Sequence, residues 1–136
     1  MRTLHTYDYA VVRVVPRVER GEFINAGVIL SCAERSTLHA CIELDEPRLL
    51  ALDPGADVAG LRAALAALPV ICAGGAAAGA LGKLSVRERF HWLVAPRSTS
   101  LQTSPVHTGR GTDLAQTMER LMQRIVRTVG AATPHP

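Results

Sequence analysis

The sequence predicts an α+β fold: an antiparallel sheet of about five strands (a mixed sheet is the alternative), one or two helices between its hairpins, and a C-terminal amphipathic helix. Three observations carry this. Residues 7–15 (YDYAVVRVV) are aromatic and β-branched, and Pro16 ends the run. Two more runs of strand character follow at 23–32 (FINAGVILSC) and 37–44, each after a short turn-forming stretch. Near the other end Leu114, Met118, Leu121, Met122, Ile125, Val126 and Val129 recur at helical spacing, with Gln116, Arg120, Gln123, Arg124 and Arg127 opposite them.

The first run is apolar on both alternating faces, Tyr9, Val11 and Val15 on one and Ala10, Val12 and Val14 on the other. Such a strand belongs inside a sheet covered on both sides. The charged stretch 17–21 (RVERG) reads as a turn, and residues 33–36 as another, so the first three strands form an antiparallel meander. In the third, Leu38, Ala40, Ile42 and Leu44 alternate with His39, Cys41 and Glu43. Asp45-Glu46-Pro47 then resembles a helix start, with an acidic cap and proline in the first turn. Asp57 can cap the next helix, whose Leu61, Leu65 and Leu68 share a face and which Pro69 should kink or end. Residues 74–82 (GGAAAGALG) read as the most flexible connection. Ser85 and Glu88 fit a capping box on one short turn. Residues 91–95 are expected as a fourth strand and 101–107 as a fifth, which Pro105 confines to an edge. The last helix spans about 113–129, in a single domain of residues 1–130 followed by a disordered tail, 131–136.

The 136 residues are 48% hydrophobic and 20% charged, which excludes wholesale disorder and suits one domain with an aliphatic, Ala-rich core. The net charge is only +3, and Lys83 is the sole lysine, so arginine enrichment reflects a general bias. The cations are dispersed and aromatics are only 4%, so nucleic acid is not the expected partner. Cys32, Cys41 and Cys72 lack CxxC spacing, and no signal peptide opens the chain. Reduced thiols in a cytoplasmic protein follow. His39 and Cys41 with Cys32 lack a fourth ligand, so no metal is expected, and no motif implies a cofactor. Residues 63–82 carry no charge over 20 positions, long enough to span a membrane. They are mostly Ala and Gly, which insert poorly, and no membrane association is expected.

Candidate site residues are polar groups in unlikely places. Arg13 interrupts an apolar central strand, so its guanidinium must meet a carboxylate (Glu22 or Glu43), a polar network or a ligand. Asn25 and Gly27 are both unusual in strands and suggest a bulge or a close backbone approach. The densest polar stretch, 96–112, holds Arg97, Ser98, Thr99, Gln102, Ser104, His107 and Arg110. If 91–95 and 101–107 pair as a hairpin, His91 faces His107, and two imidazoles could do acid–base work. No acid in that stretch orients either ring, and no serine shows a triad. Gly109-Arg110-Gly111-Thr112 leads into a helix start that could hold an anion, but Asp113 would occupy the same amides.

Taken together, Tyr9-Ala10, Arg13-Val14-Val15-Pro16, Gly21-Glu22-Phe23, Asn25, Gly27-Val28, Arg89-Phe90, Trp92-Leu93, Pro96-Arg97-Ser98-Thr99, Gln102, Ser104-Pro105, His107 and Gly109 resemble a bacterial family, domain-of-unknown-function family 3037. The likeness runs from about Tyr7 to Val129, with Ala26 standing where relatives are expected to carry valine. The family has no established activity. Its members are often encoded beside a protein with a HipA-like kinase domain, which implies a companion or regulator of such a kinase protein.

Two functions are thus carried forward. One is a non-catalytic binding or accessory module, recognising a protein partner or anionic ligand through Arg13, Asn25, Arg97, Ser98, Gln102, Ser104 and His107. The other is a small hydrolase or transferase acting on a phosphate-bearing substrate, with His107, helped by His91, as acid or base.

Overall fold

β1 (His5–Val14) is the spine of the sheet in the computed structural model, which describes residues 3–127. One edge of β1 pairs with β2 (Ile24–Cys32), and β2 with β3 (Thr37–Ile42), giving the expected antiparallel meander. The third strand stops two residues short of Leu44, though Ala40, Ile42 and Leu44 all pack against the core as the alternation requires. The other edge of β1 meets two short strands, β4 (Leu101–Thr103) opposite Val12–Val14 and β5 (His107–Gly111) opposite His5–Tyr9. The single extended segment expected at 101–107 is therefore divided. Pro105 has no N–H for the ladder, and the chain resumes pairing only at His107.

Helices cover both faces, as the two-sided apolarity of β1 demands. On one face Val12, Val14, Ile24 and Ile29 pack with Leu49 of α1 (Glu46–Leu52), Leu61 and Leu65 of α2 (Val58–Ala73), and Phe90 and Leu93 of α3 (Val86–Val94). On the other, Tyr7, Val28, Leu30 and Cys32 pack with Leu121, Met122 and Val126. These last belong to α4 (Leu114–Leu121) and the π turn that continues it, Met122–Val126. Helix starts obey local chemistry. Asp45, Asp57 and Asp113 each accept an N–H of their own first turn, and Ser85 and Glu88 form a reciprocal capping box.

Several expectations are corrected. Residues 91–95 are not a strand, because the capping box opens a full helix, α3. Val86, Phe90, Leu93 and Val94 fall at helical spacing and turn inward, while His91 and Trp92 stay exposed. α2 runs through Pro69 to Ala73, where Cys72 remains in the core and the Gly74 N–H closes the last turn on Val70 and Ile71. Residues 76–83 form 3-10 turns broken at Gly79 instead of an open loop, tied down by the Gly75 N–H to Gly82 O bond. Residues 107–111 are strand, not a loop feeding α4. A side chain at Gly109 would strike the Tyr7 ring, its Cβ falling 2.6 Å from the hydroxyl oxygen, so glycine here serves close packing. The last helix ends at Val126; Val129 and the tail 131–136 lie outside the described residues.

No single helix among the described residues is long and apolar enough to cross a membrane; the uncharged stretch is divided between α2 and the 3-10 segment, bent by 63°.

Candidate functional site

Asn25, Arg13 and Gln102 are brought into one row. Arg13 is register partner to Asn25 on β2 and to Gln102 on β4, and partners in an antiparallel ladder share a face. The row lies on the face covered by α4 and its π turn, where the Asn25 side-chain N–H donates to Ile125 O at 3.2 Å. The bulge expected from Asn25 and Gly27 is present: the β1–β2 register shifts between Val12 and Arg13, opposite the extra residue Ala26. Gly27 makes the close approach, since a Cβ there would fall 2.5 Å from Cys41 O. The bulge re-aims Asn25 toward the end of α4.

Arg13 is half-buried, with Cζ 4.3 Å from the centroid of the Phe23 ring. Its Nε is closed off from solvent without a hydrogen-bond partner. Neither carboxylate expected to pair with it does so. Glu22 is taken by Arg20 at 2.6 Å, and Glu43 by Arg127 at 2.7 Å, which also reaches Glu119. The hydrogen bonds from Arg20 and Arg127 hold the Glu22 and Glu119 carboxyls below the usual carboxylate range. Arg13 has no carboxylate partner among the described residues, while Phe23 beside it is 43% exposed. A cation with an aromatic shelf and flanking amides is a fitting receptor for an anionic group.

The other candidates have other surroundings, although Arg97 and Gln102 both line a cavity of about 470 Å³ with Trp92 and Thr99. Ser104 is buried and structural: its hydroxyl accepts the Val11 N–H at 2.8 Å and donates to Pro105 O, while its own N–H bonds Val11 O. It thereby splices the edge between β4 and β5. His107 is exposed and pairs in register with Tyr9, their rings 5.2 Å apart. His91 lies on α3, on the opposite side of the sheet, so the predicted His91–His107 pair does not form. Two neighbouring contacts fix that side: Arg87 of α3 reaches Asp8, the residue next to Tyr9, and Thr108 bonds the same carboxylate. Arg97 also sits with the helices. It stacks on Trp92 at 4.5 Å and donates to Ala95 O and Trp92 O, closing the C-terminal end of α3. Ser98 is exposed in the loop after it. Gln102 donates to Thr99 O. Asp113 caps α4 through the Gln116 N–H, so the glycine-rich approach to that helix holds no vacant anion cradle there.

Two features escape a reading of residue types. Phe23 completes the Arg13 environment yet reads as an ordinary strand start. Arg89, 8% exposed, donates to Leu84 O and Cys72 O, joining the start of α3 to the end of α2. Its signal is only its place beside Phe90 in a helical period.

The fold and the row define an α+β domain with a two-sided sheet and a polar rim at one end of its central strand. Residues 9–126 match the family described as Protein of unknown function (DUF3037), and the chain belongs to that family. No curated protein and no solved structure matches it.

Proposed function

We propose that the chain is a non-catalytic binding module that recognises an anionic group on a partner through the Asn25–Arg13–Gln102 row and Phe23. One observation carries this reading: a half-buried guanidinium stacked on Phe23 without a carboxylate among the described residues, the two acids expected to pair with it being held by Arg20 and Arg127. Only Nε is closed off, so the terminal nitrogens are the donors that a partner's carboxylate or phosphate would meet. The partner in view is a protein, in keeping with the companion role toward a HipA-like kinase protein that the family resemblance implies. A cytoplasmic setting accords with three free thiols. The alternative of a hydrolase or transferase loses its paired imidazoles, and His107 is left with an aromatic neighbour and no orienting acid among the described residues.

The test is affinity recovery from the native host with the native chain and Arg13→Gln, each with and without nuclease. A protein recovered by the native chain, lost with Arg13→Gln and indifferent to nuclease supports the proposal. Identical recovery by both chains refutes the site, and nuclease-sensitive recovery refutes the protein partner.

A further inference from the structure

Away from the Arg13 row, where the N-terminal end of α4 overhangs the sheet, there is a cavity of about 840 Å³. Its apolar floor is Leu30 of β2 with Leu114 and Met118 of α4. Leu30 is 1% exposed and part of the core cluster on that face, so the floor is rigid, and the thioether of Met118 adapts to what lies on it. Cavities of roughly 300–1,000 Å³ with an apolar floor and a few polar groups are the usual form of small-molecule sites.

The polar wall carries both signs of charge, Arg35 and Asp113, with His5 and His39 beside them. Glu34 accepts from His5 Nδ1 at 3.3 Å and also faces the Thr6 N–H; His5 Nε2 lies 3.3 Å from Arg35 Nη1. The chain Glu34–His5–Arg35 thus holds a guanidinium at the cavity while the carboxylate stays with His5. Arg35 makes no salt bridge among the described residues. Asp113, the acid lining the cavity, is engaged in capping α4.

We infer that this cavity is a second binding site, taking a small amphipathic carboxylate whose apolar body lies on Leu30, Leu114 and Met118 and whose head group meets Arg35. A cation beside an apolar floor favours this class over a neutral apolar ligand, which would leave the guanidinium unmatched.

Decanoate and 1-decanol, which differ in the head group, are titrated against the native chain by displacement of anilinonaphthalene sulfonate. The variants are Arg35→Gln, Ala115→Trp and Arg13→Gln, each first shown to melt cooperatively. Decanoate should displace the dye saturably from the native chain. Arg35→Gln should weaken decanoate about tenfold, the value of one charge-assisted contact, and leave decanol unchanged. Ala115→Trp, which fills the mouth of the cavity, should abolish both, and Arg13→Gln should alter neither. Absence of saturable decanoate binding, an unchanged affinity in Arg35→Gln, or full binding in Ala115→Trp overturns the inference. Should Ala115→Trp fail to fold, the exposed Arg35 position still decides it. Loss of decanoate with Arg13→Gln would move the ligand to the other site.

Discussion

Replacing Ser104 with alanine removes one oxygen and leaves the Val11 N–H facing nothing. That N–H lies in the middle of β1, where the edge passes from β4 to β5 and no backbone carbonyl is positioned to take over. Val11 is 7% exposed and Ser104 4%, so water does not replace the hydroxyl without opening the edge. An unsatisfied buried donor costs about 1–3 kcal/mol. At roughly 2.1 cal/mol/K per residue over 136 residues, unfolding entropy is ~0.29 kcal/mol/K, so Tm should fall by roughly 3–10 °C. Urea unfolding followed by circular dichroism measures the loss, and amide hydrogen exchange locates it, the Val11 amide losing protection first. Gln102→Ala, on the same edge, supplies the contrast: its amide bonds only an exposed loop carbonyl, and about 0.5 kcal/mol or less is expected. A Ser104→Ala loss below about 0.5 kcal/mol with Val11 protection intact would show that the hydroxyl does not splice the edge. Ser104 would then return to the list of candidate ligand contacts.

Gly27→Ala places a Cβ 2.5 Å from Cys41 O, so the β2–β3 ladder must shift; chemical denaturation should show a loss of about 1–3 kcal/mol. Glu88 is held below the usual carboxylate range by the backbone and hydroxyl of Ser85, so its contribution is present at neutral pH and lost as pH falls through that lowered value. Glu88→Gln keeps an acceptor for the capping box but cannot titrate, and the melting gap between native and variant should narrow on acidification. Burial pushes the Cys72 thiol up to about 11 and Cys41 upward as well. Under native conditions near pH 8, mass-resolved alkylation should find Cys72 unmodified until urea unfolds the chain.

What was legible in the sequence was whatever a single segment decides. β1 announced its two-sided burial through Tyr9, Val11, Val12 and Val14, and the stripe from Leu114 to Val126 announced the face it covers. Asn25 with Gly27 announced the bulge because each residue is poor in a strand for its own reason. What failed depended on partners elsewhere. His91-Trp92-Leu93-Val94 is a plausible strand until Phe90 is counted with Leu93 as one helical face. Gly109 and Gly111 read as a loop because the reason for them, the Tyr7 ring and the Thr117 hydroxyl, lies in distant segments. The candidate site divided on the same ground: residues 97 to 107 are contiguous in sequence, but Arg97 is turned onto Trp92, Ser104 is spent on the edge of β1 and His107 faces Tyr9.

Arg13 and Arg89 each have a buried Nε without a partner, but the rest of the two guanidinium groups is used differently. The Arg89 guanidinium satisfies Leu84 O before α3 and Cys72 O at the C-terminal end of α2, the end at which a helix dipole favours a cation. Removing it as Arg89→Met strands two carbonyls and should cost about 2–4 kcal/mol. Arg13 satisfies no such acceptor. Arg13→Met relieves a buried unpaired Nε, worth about 1–3 kcal/mol, and forfeits a stacking contact on Phe23 worth about 0.5–1 kcal/mol. Its stability should therefore match or exceed that of the native chain. Parallel urea titrations of the two variants measure both. A destabilised Arg13→Met, by more than about 1 kcal/mol, would mean that the guanidinium is part of the scaffold and not a recognition group.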